Sequence, residues 1–205
     1  MAKVFTEITR LSDKDCFYIV ERHKTEFTYP LHQHAEFELN FIEHGKGVRR
    51  IVGDSVEEIG DYELVLLGGE ELENVWEQGQ CKSKDIREIT IQFSEDIFGD
   101  GLLSKNQFAS IKRMLERAGH GLSFSLNSIM KVYSTLDTIA SEPERFVQFL
   151  KTLYILYELS IAEDARVLSS GTFSHPEKPT ESGRIQKVKQ YVADHYPEPL
   201  RLSDL

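Results

Sequence analysis

The spacing of the apolar residues changes once along this chain, near residue 100, and that change limits what it can fold into. Before that point the pattern is short runs of alternating or continuous apolar residues. Candidate strands cover 17–21, 35–43, 48–52, 55–59, 64–67, 74–78 and 86–93. Gly45-Lys46-Gly47, Gly53-Asp54 and Gly60-Asp61 punctuate them. Gly53-Asp54 joins two runs by two residues, which predicts a tight hairpin. Several short strands at regular spacing predict an antiparallel sandwich or barrel.

After residue 100 the spacing becomes three and four, the period of a helix face. Phe108, Ile111 and Leu115 make one stripe, and Ser104 with Gln107 has the form of a capping box ahead of it. Gly119 is the expected stop. Ile129, Val132, Leu136 and Ile139 make a second stripe after Ser125. A third helix is expected to open at Pro143. It carries Phe146, Phe149, Leu150, Leu153, Leu156 and Tyr157, with Val147, Tyr154, Ile155 and Leu159 widening the apolar surface. So broad a stripe suits burial against the sheet, contact with a second subunit, or both. The expected class is therefore α+β: an antiparallel β-barrel over 1–100, then helices over 101–163.

Residues 164–182 are rich in Ser, Gly, Pro, Glu and Lys and read as a flexible linker. A last helix follows over 183–205, with Ile185, Val188, Tyr191 and Val192 as its stripe. Ser203-Asp204 has the form of a helix start with no helix after it. The expectation is a chain cut inside a second domain.

The net charge of −10 argues against nucleic-acid binding by these residues alone, since phosphate contact needs a basic surface. Cys16 and Cys81 form neither a disulfide framework nor a zinc spacing. No signal-peptide core and no membrane-length apolar run stand out. A cytoplasmic location is the expectation.

The most chemical segment is His32-Gln-His34-Ala-Glu36-Phe-Glu38, running through Asn40 to Gly45. On one strand His32, His34, Glu36, Glu38 and Asn40 share a face, and Phe37, Leu39 and Phe41 share the other. The polar face either meets water or lines a cavity. Two imidazoles and a carboxylate also make a ligand set for a divalent metal.

His32, His34, Glu38 and Gly45 fall on the positions of the first cupin motif. Gly60-Asp61, Leu64 to Gly68 and Asn74-Val75-Trp76 resemble the second cupin motif as AraC-type regulators carry it. Asn74 stands where that pattern has a histidine. Residues 183–205 look like the opening of an AraC-type helix-turn-helix domain. The chain thus resembles the N-terminal part of an AraC-type transcription regulator along nearly its whole length. The resemblance implies a cupin-like jelly-roll barrel that binds a small effector, often a sugar or related metabolite. It implies a homodimer, and DNA contact only through a C-terminal domain that this chain lacks. Expected ligand contacts are His32, His34, Glu36, Glu38, Asn74 and Trp76. Expected dimer contacts are Phe146, Phe149, Leu150, Leu153, Leu156 and Tyr157. No cofactor is expected. A metal held by His32, His34 and Glu38 is the lesser alternative, because asparagine is a weak ligand for soft metals.

Three functions stay open on the sequence alone. The first is an effector-binding regulator. The second is a metal-dependent cupin oxygenase or isomerase. The third is a barrel that only dimerises.

Overall fold

The computed structural model describes residues 4–12, 14–69 and 72–170. The expected terminal helix over 183–205 lies outside the described residues, as does the expected linker beyond residue 170. In chain order the strands before the helices are β1 (Phe5–Thr6), β2 (Phe17–Lys24), β3 (His32–Gln33), β4 (Phe37–Glu43), β5 (Arg49–Val52), β6 (Ser55–Glu58), β7 (Tyr62–Leu67), β8 (Asn74–Glu77) and β9 (Ile86–Phe93). Then come α1 (Gly99–Leu102), α2 (Ala109–Ala118), β10 (Leu122–Ser123), α3 (Leu126–Ile139), α4 (Arg145–Ser160) and β11 (Arg166–Val167). The seven strands expected from alternation are all present. Four strands of two residues each escaped that reading, being too short to show a period.

Among the described residues the strands form two facing sheets, ordered β1-β3-β8-β5-β6 and β11-β10-β7-β4-β9-β2, with no single ring closed between them. All pairs are antiparallel except β1 with β3. The expected barrel is thus a mostly antiparallel two-sheet sandwich, joined to helices in an α+β fold. Gly53 starts the β5–β6 turn with φ +54, a backbone conformation that favours glycine, and the hairpin is the two-residue one expected.

Strand alternation sorts the larger sheet into two faces. Leu39, Phe41, Leu64, Leu66, Ile89 and Ile91 pack with α2, α3 and α4 in one core. Each such side chain contributes about 1.5–3 kcal/mol relative to exposure. Ile42, Val65, Leu67 and Ile86 point the other way and meet Val52 and Trp76 of the smaller sheet. Glu38 and Asn40 share that second face, between the sheets.

The helices keep the expected stripes with changed ends. Ser125 caps α3 by accepting from Ser128 N at 3.3 Å. The capping box at Ser104 does not form. Ser104 Oγ donates instead to Gly101 O at 2.6 Å, a short 3-10 turn covers Asn106–Phe108, and α2 starts at Ala109 without a side-chain cap. The third helix starts at Arg145, two residues after Pro143.

Residues 164–170, expected to begin the linker, are bonded to the sandwich. Asp164 accepts from the hydroxyls of Ser125 and Ser128, Arg166–Val167 pairs with β10, and Ser170 N donates to Asp54 Oδ1 at 2.9 Å. Composition marks a segment poor in apolar residues. It does not register side chains that bond back to the body of the fold.

Candidate functional site

A cavity of about 390 Å³ opens between the sheets. Its inner wall on the larger sheet is Glu38 and Asn40 of β4 with Glu88, Thr90 and Gln92 of β9. The register explains the grouping, because Glu38 pairs with Gln92 and Asn40 with Thr90 across β4 and β9. The facing wall is His32 of β3 with Val75 and Trp76 of β8. Arg22 and Lys24 of β2, Glu7, and the loop from Glu26 to Tyr29 form the rim.

The histidines are held in defined orientations. His32 Nδ1 lies 2.9 Å from Pro30 O, and His34 Nδ1 lies 2.8 Å from Glu36 O. A carbonyl only accepts, so both Nδ1 atoms carry a proton, and either ring when neutral keeps its lone pair on Nε2. His34 Nε2 is buried with no hydrogen-bond partner among the described residues. It stands 3.7 Å from Glu38 Oε2. Asn40 Oδ1 and Asn74 Oδ1 are likewise buried and unpartnered. Glu38 accepts from Gln92 Nε2 at 2.9 Å. Burial pushes its carboxyl above the ordinary range, against the pull of His34 and Gln92.

Of the expected contacts, His32, Glu38 and Trp76 line the cavity. His34 sits behind Glu38. Asn74 is fully buried as the cross-strand partner of His32. Glu36 does not line the cavity, which corrects the expectation of one continuous strand face. The chain leaves the smaller sheet after Gln33 and enters the larger one at Phe37, so residues 34–36 are a bend and the two-residue alternation breaks there. Sequence reading passed over Glu88, Thr90 and Gln92. The signal was present, since these three alternate with Ile89, Ile91 and Phe93.

The cupin resemblance raises the question of a metal. The Nδ1-bonded tautomer is the one that metal-binding histidines use. The rest of the set does not fit. His32 Nε2 lies 3.6 Å from Glu7 Oε2, while His34 meets Glu38. Asn74 takes the place of a third imidazole. Among the described residues no three His, Cys, Asp or Glu side chains are placed to hold a metal ion.

A second polar cluster lies in the same interior. Trp76 Nε1 donates to Glu63 Oε2 at 2.8 Å. Arg50, 1% exposed, donates to both Glu63 and Glu57. Arg166 of β11 reaches Glu57 Oε1 at 2.7 Å. The Arg166 hydrogen bonds, with the Arg50 charge behind them, pull the Glu57 carboxyl down to about 2. Burial pushes Glu63 up, against the pull of Arg50 and Trp76.

The expected dimer residues divide between core and surface. Leu156 is fully buried in the helix–sheet core, and Phe149 and Leu153 pack partly against it. Leu156 is therefore a core residue. Phe146, Leu150 and Tyr157 are exposed, and Tyr154 and Ile161 extend their line.

No protein-family profile matches the chain, and a search of curated proteins finds no match. Among solved structures it overlaps ToxT from Vibrio cholerae. An apo single-residue variant of ToxT gives a TM-score of 0.47 at 14% identity, over 95% of this chain and 70% of that one. ToxT bound to an unsaturated fatty acid gives 0.44 at 15% identity, over 96% and 69%. ToxT bound to a methylnaphthalenyl-butenoic acid gives 0.43 at 13% identity, over 93% and 70%. Overlap this loose carries no argument about family or ligand. Among the described residues no helix is long and apolar enough to cross a membrane.

Proposed function

We propose that this chain is the effector-binding and dimerisation part of an AraC-type transcription regulator. A small polar metabolite, sugars included, enters the cavity between the sheets. The observation that carries this reading is the cavity itself, set behind the His-x-His segment with buried polar atoms left unpartnered around it. Such an atom costs about 1–3 kcal/mol, and folded proteins rarely leave one without a function or a missing partner. A bound molecule supplies the partner. It shifts the protein between states only to the extent that it binds them unequally.

The exposed line of Phe146, Leu150, Tyr154 and Tyr157 on α4, with Ile161 just after it, is the surface for a second copy. Its spacing of three and four is that of a helix–helix seam. DNA contact belongs to a further domain, whose opening residues 183–205 resemble. A cupin enzyme is the weaker reading, because the motif's side chains do not converge on one metal position.

Two measurements test the proposal. Melting curves with a panel of small metabolites should show a rise for at least one class. A ligand at 100 times its dissociation constant adds about 2.7 kcal/mol. Sedimentation should show a dimer that Leu150→Glu with Tyr154→Glu turns into a monomer without loss of helix. A monomeric parent, together with a melting temperature that no metabolite moves, would sink it.

A further inference from the structure

Resting on that reading of the cavity as the effector site, we propose that its inner end receives the charged nitrogen of an organic cation, a protonated amine or guanidine. The carbon skeleton lies against Phe27, Val75 and Trp76.

Charge points this way first. The lining carries four carboxylates, Glu7, Glu26, Glu38 and Glu88, against the two permanent cations Arg22 and Lys24 and the imidazole of His32. Both permanent cations are already engaged. Lys24 Nζ sits 2.6 Å from Glu88 Oε2, and Arg22 Nη1 lies 3.4 Å from the same oxygen and 3.3 Å from Thr90 Oγ1. An anionic ligand would meet bases whose charge Glu88 already offsets. Glu38 is buried, and the groups at hand that can become cationic are His34 and His32, each charged only when it takes a second proton.

The unpartnered atoms agree. With its Nδ1–H given to Glu36 O, neutral His34 presents an acceptor at Nε2. Asn40 Oδ1 is a second unpartnered acceptor, on the cavity wall. The Glu38 carboxylate and the Asn40 acceptor on the wall, with His34 Nε2 behind Glu38, call for a group rich in N–H donors. A neutral polyol would want donors and acceptors in like number. The walls fit as well, since aromatic faces attract cations. Lys24 Nζ already stands 4.5 Å from the centre of the Phe27 ring. Burial holds the Glu38 carboxyl above its ordinary range, as expected of an acid whose counter-ion is a ligand.

The test uses one skeleton with three head groups. Benzylammonium, benzyl alcohol and benzoate, with arabinose as a polyol, are titrated into the full 205-residue chain. Calorimetry and the fluorescence of Trp76, the single tryptophan, report binding. The expected result is that benzylammonium binds at least tenfold more tightly than the other three. Glu38→Gln should remove that preference while the melting temperature changes little. Glu88→Gln frees Lys24 and Arg22 and should raise benzoate affinity by about tenfold. Tighter binding of the alcohol, benzoate or arabinose by the parent protein overturns the cation assignment and leaves the effector reading standing. No binding by any of the four also overturns the cation assignment, and a full metabolite panel without a response then removes the effector reading too.

Discussion

Two parts of the sandwich interior bury ionisable groups, one around Glu38 and one around Arg50, and they pair them to different degrees. Around Arg50 most groups find a partner, and one buried nitrogen, Arg50 Nε, has no hydrogen-bond partner among the described residues. Glu63 takes the Trp76 N–H and one arm of Arg50, and Glu57 takes the other arm together with Arg166. Around Glu38 the account stays open. His34 Nε2 and Asn40 Oδ1 have no hydrogen-bond partner among the described residues, and Asn40 lies on a cavity wall. Buried polar groups that are bonded to one another specify structure. Those left open beside a cavity mark where something else belongs. Trp76 touches both regions, with its indole N–H in the bonded cluster and its ring on the cavity wall.

The largest expected effect separates the two regions. Arg50→Met leaves Glu63 and Glu57 without their shared cation and should cost about 3–5 kcal/mol in urea unfolding, the usual result of removing one partner of a buried pair. If Arg50→Met costs less than about 1 kcal/mol, the bonded cluster is not structural and the contrast fails. Trp76→Phe keeps most of the ring but strands one lone pair of Glu63. It should cost about 1–3 kcal/mol, followed by circular dichroism because the variant has no tryptophan. Glu38→Gln should cost less than about 1 kcal/mol or stabilise slightly, since it removes a buried carboxyl with no fixed cation. Arg166→Gln touches a half-exposed pair and should cost less than about 1 kcal/mol.

Acid and base should also act on Glu57 and Glu38 in opposite directions. The folded Glu57 carboxyl lies near 2, below its ordinary 4.5. Its contribution is therefore present above pH 4.5 and is lost as the pH falls toward 2. The folded Glu38 carboxyl lies above its ordinary 4.5, with His34, His32 and Glu7 facing it. The folded state then holds the proton longer, so this contribution is full below pH 4.5 and lost as the pH rises through the folded value. Unfolding free energies against pH should show a shallower acid limb in Glu57→Gln and a shallower fall toward neutral pH in Glu38→Gln. Identical profiles for the two variants would erase the distinction.

The site was legible in part, for identifiable reasons. His32, Glu38 and Trp76 came from a local motif, and the structure places all three on the cavity. Glu36 was misplaced because alternation assumes an unbroken strand, and residues 34–36 bend from one sheet to the other. Glu88, Thr90 and Gln92 were overlooked although their alternation was visible. Nothing in the sequence says that β9 pairs with β4 in the register that sets Gln92 opposite Glu38. The broad stripe of α4 hid the difference between Leu156 in the core and Leu150 on the surface, because periodicity counts faces without naming what covers each.

By itself the sequence determined the longer elements, the two periods and the turn at Gly53, all of which depend on residues close together in the chain. It also carried the His-x-His segment and the alternation of β4. Only the tertiary structure decided which polar side chains meet. That choice depends on strand pairing over more than fifty residues, as between Glu38 and Gln92, and on the bend that moves the chain between sheets. Local sequence sets which way a side chain points from its own strand. What lies opposite it is set by pairing and register, which exist only once the chain is folded.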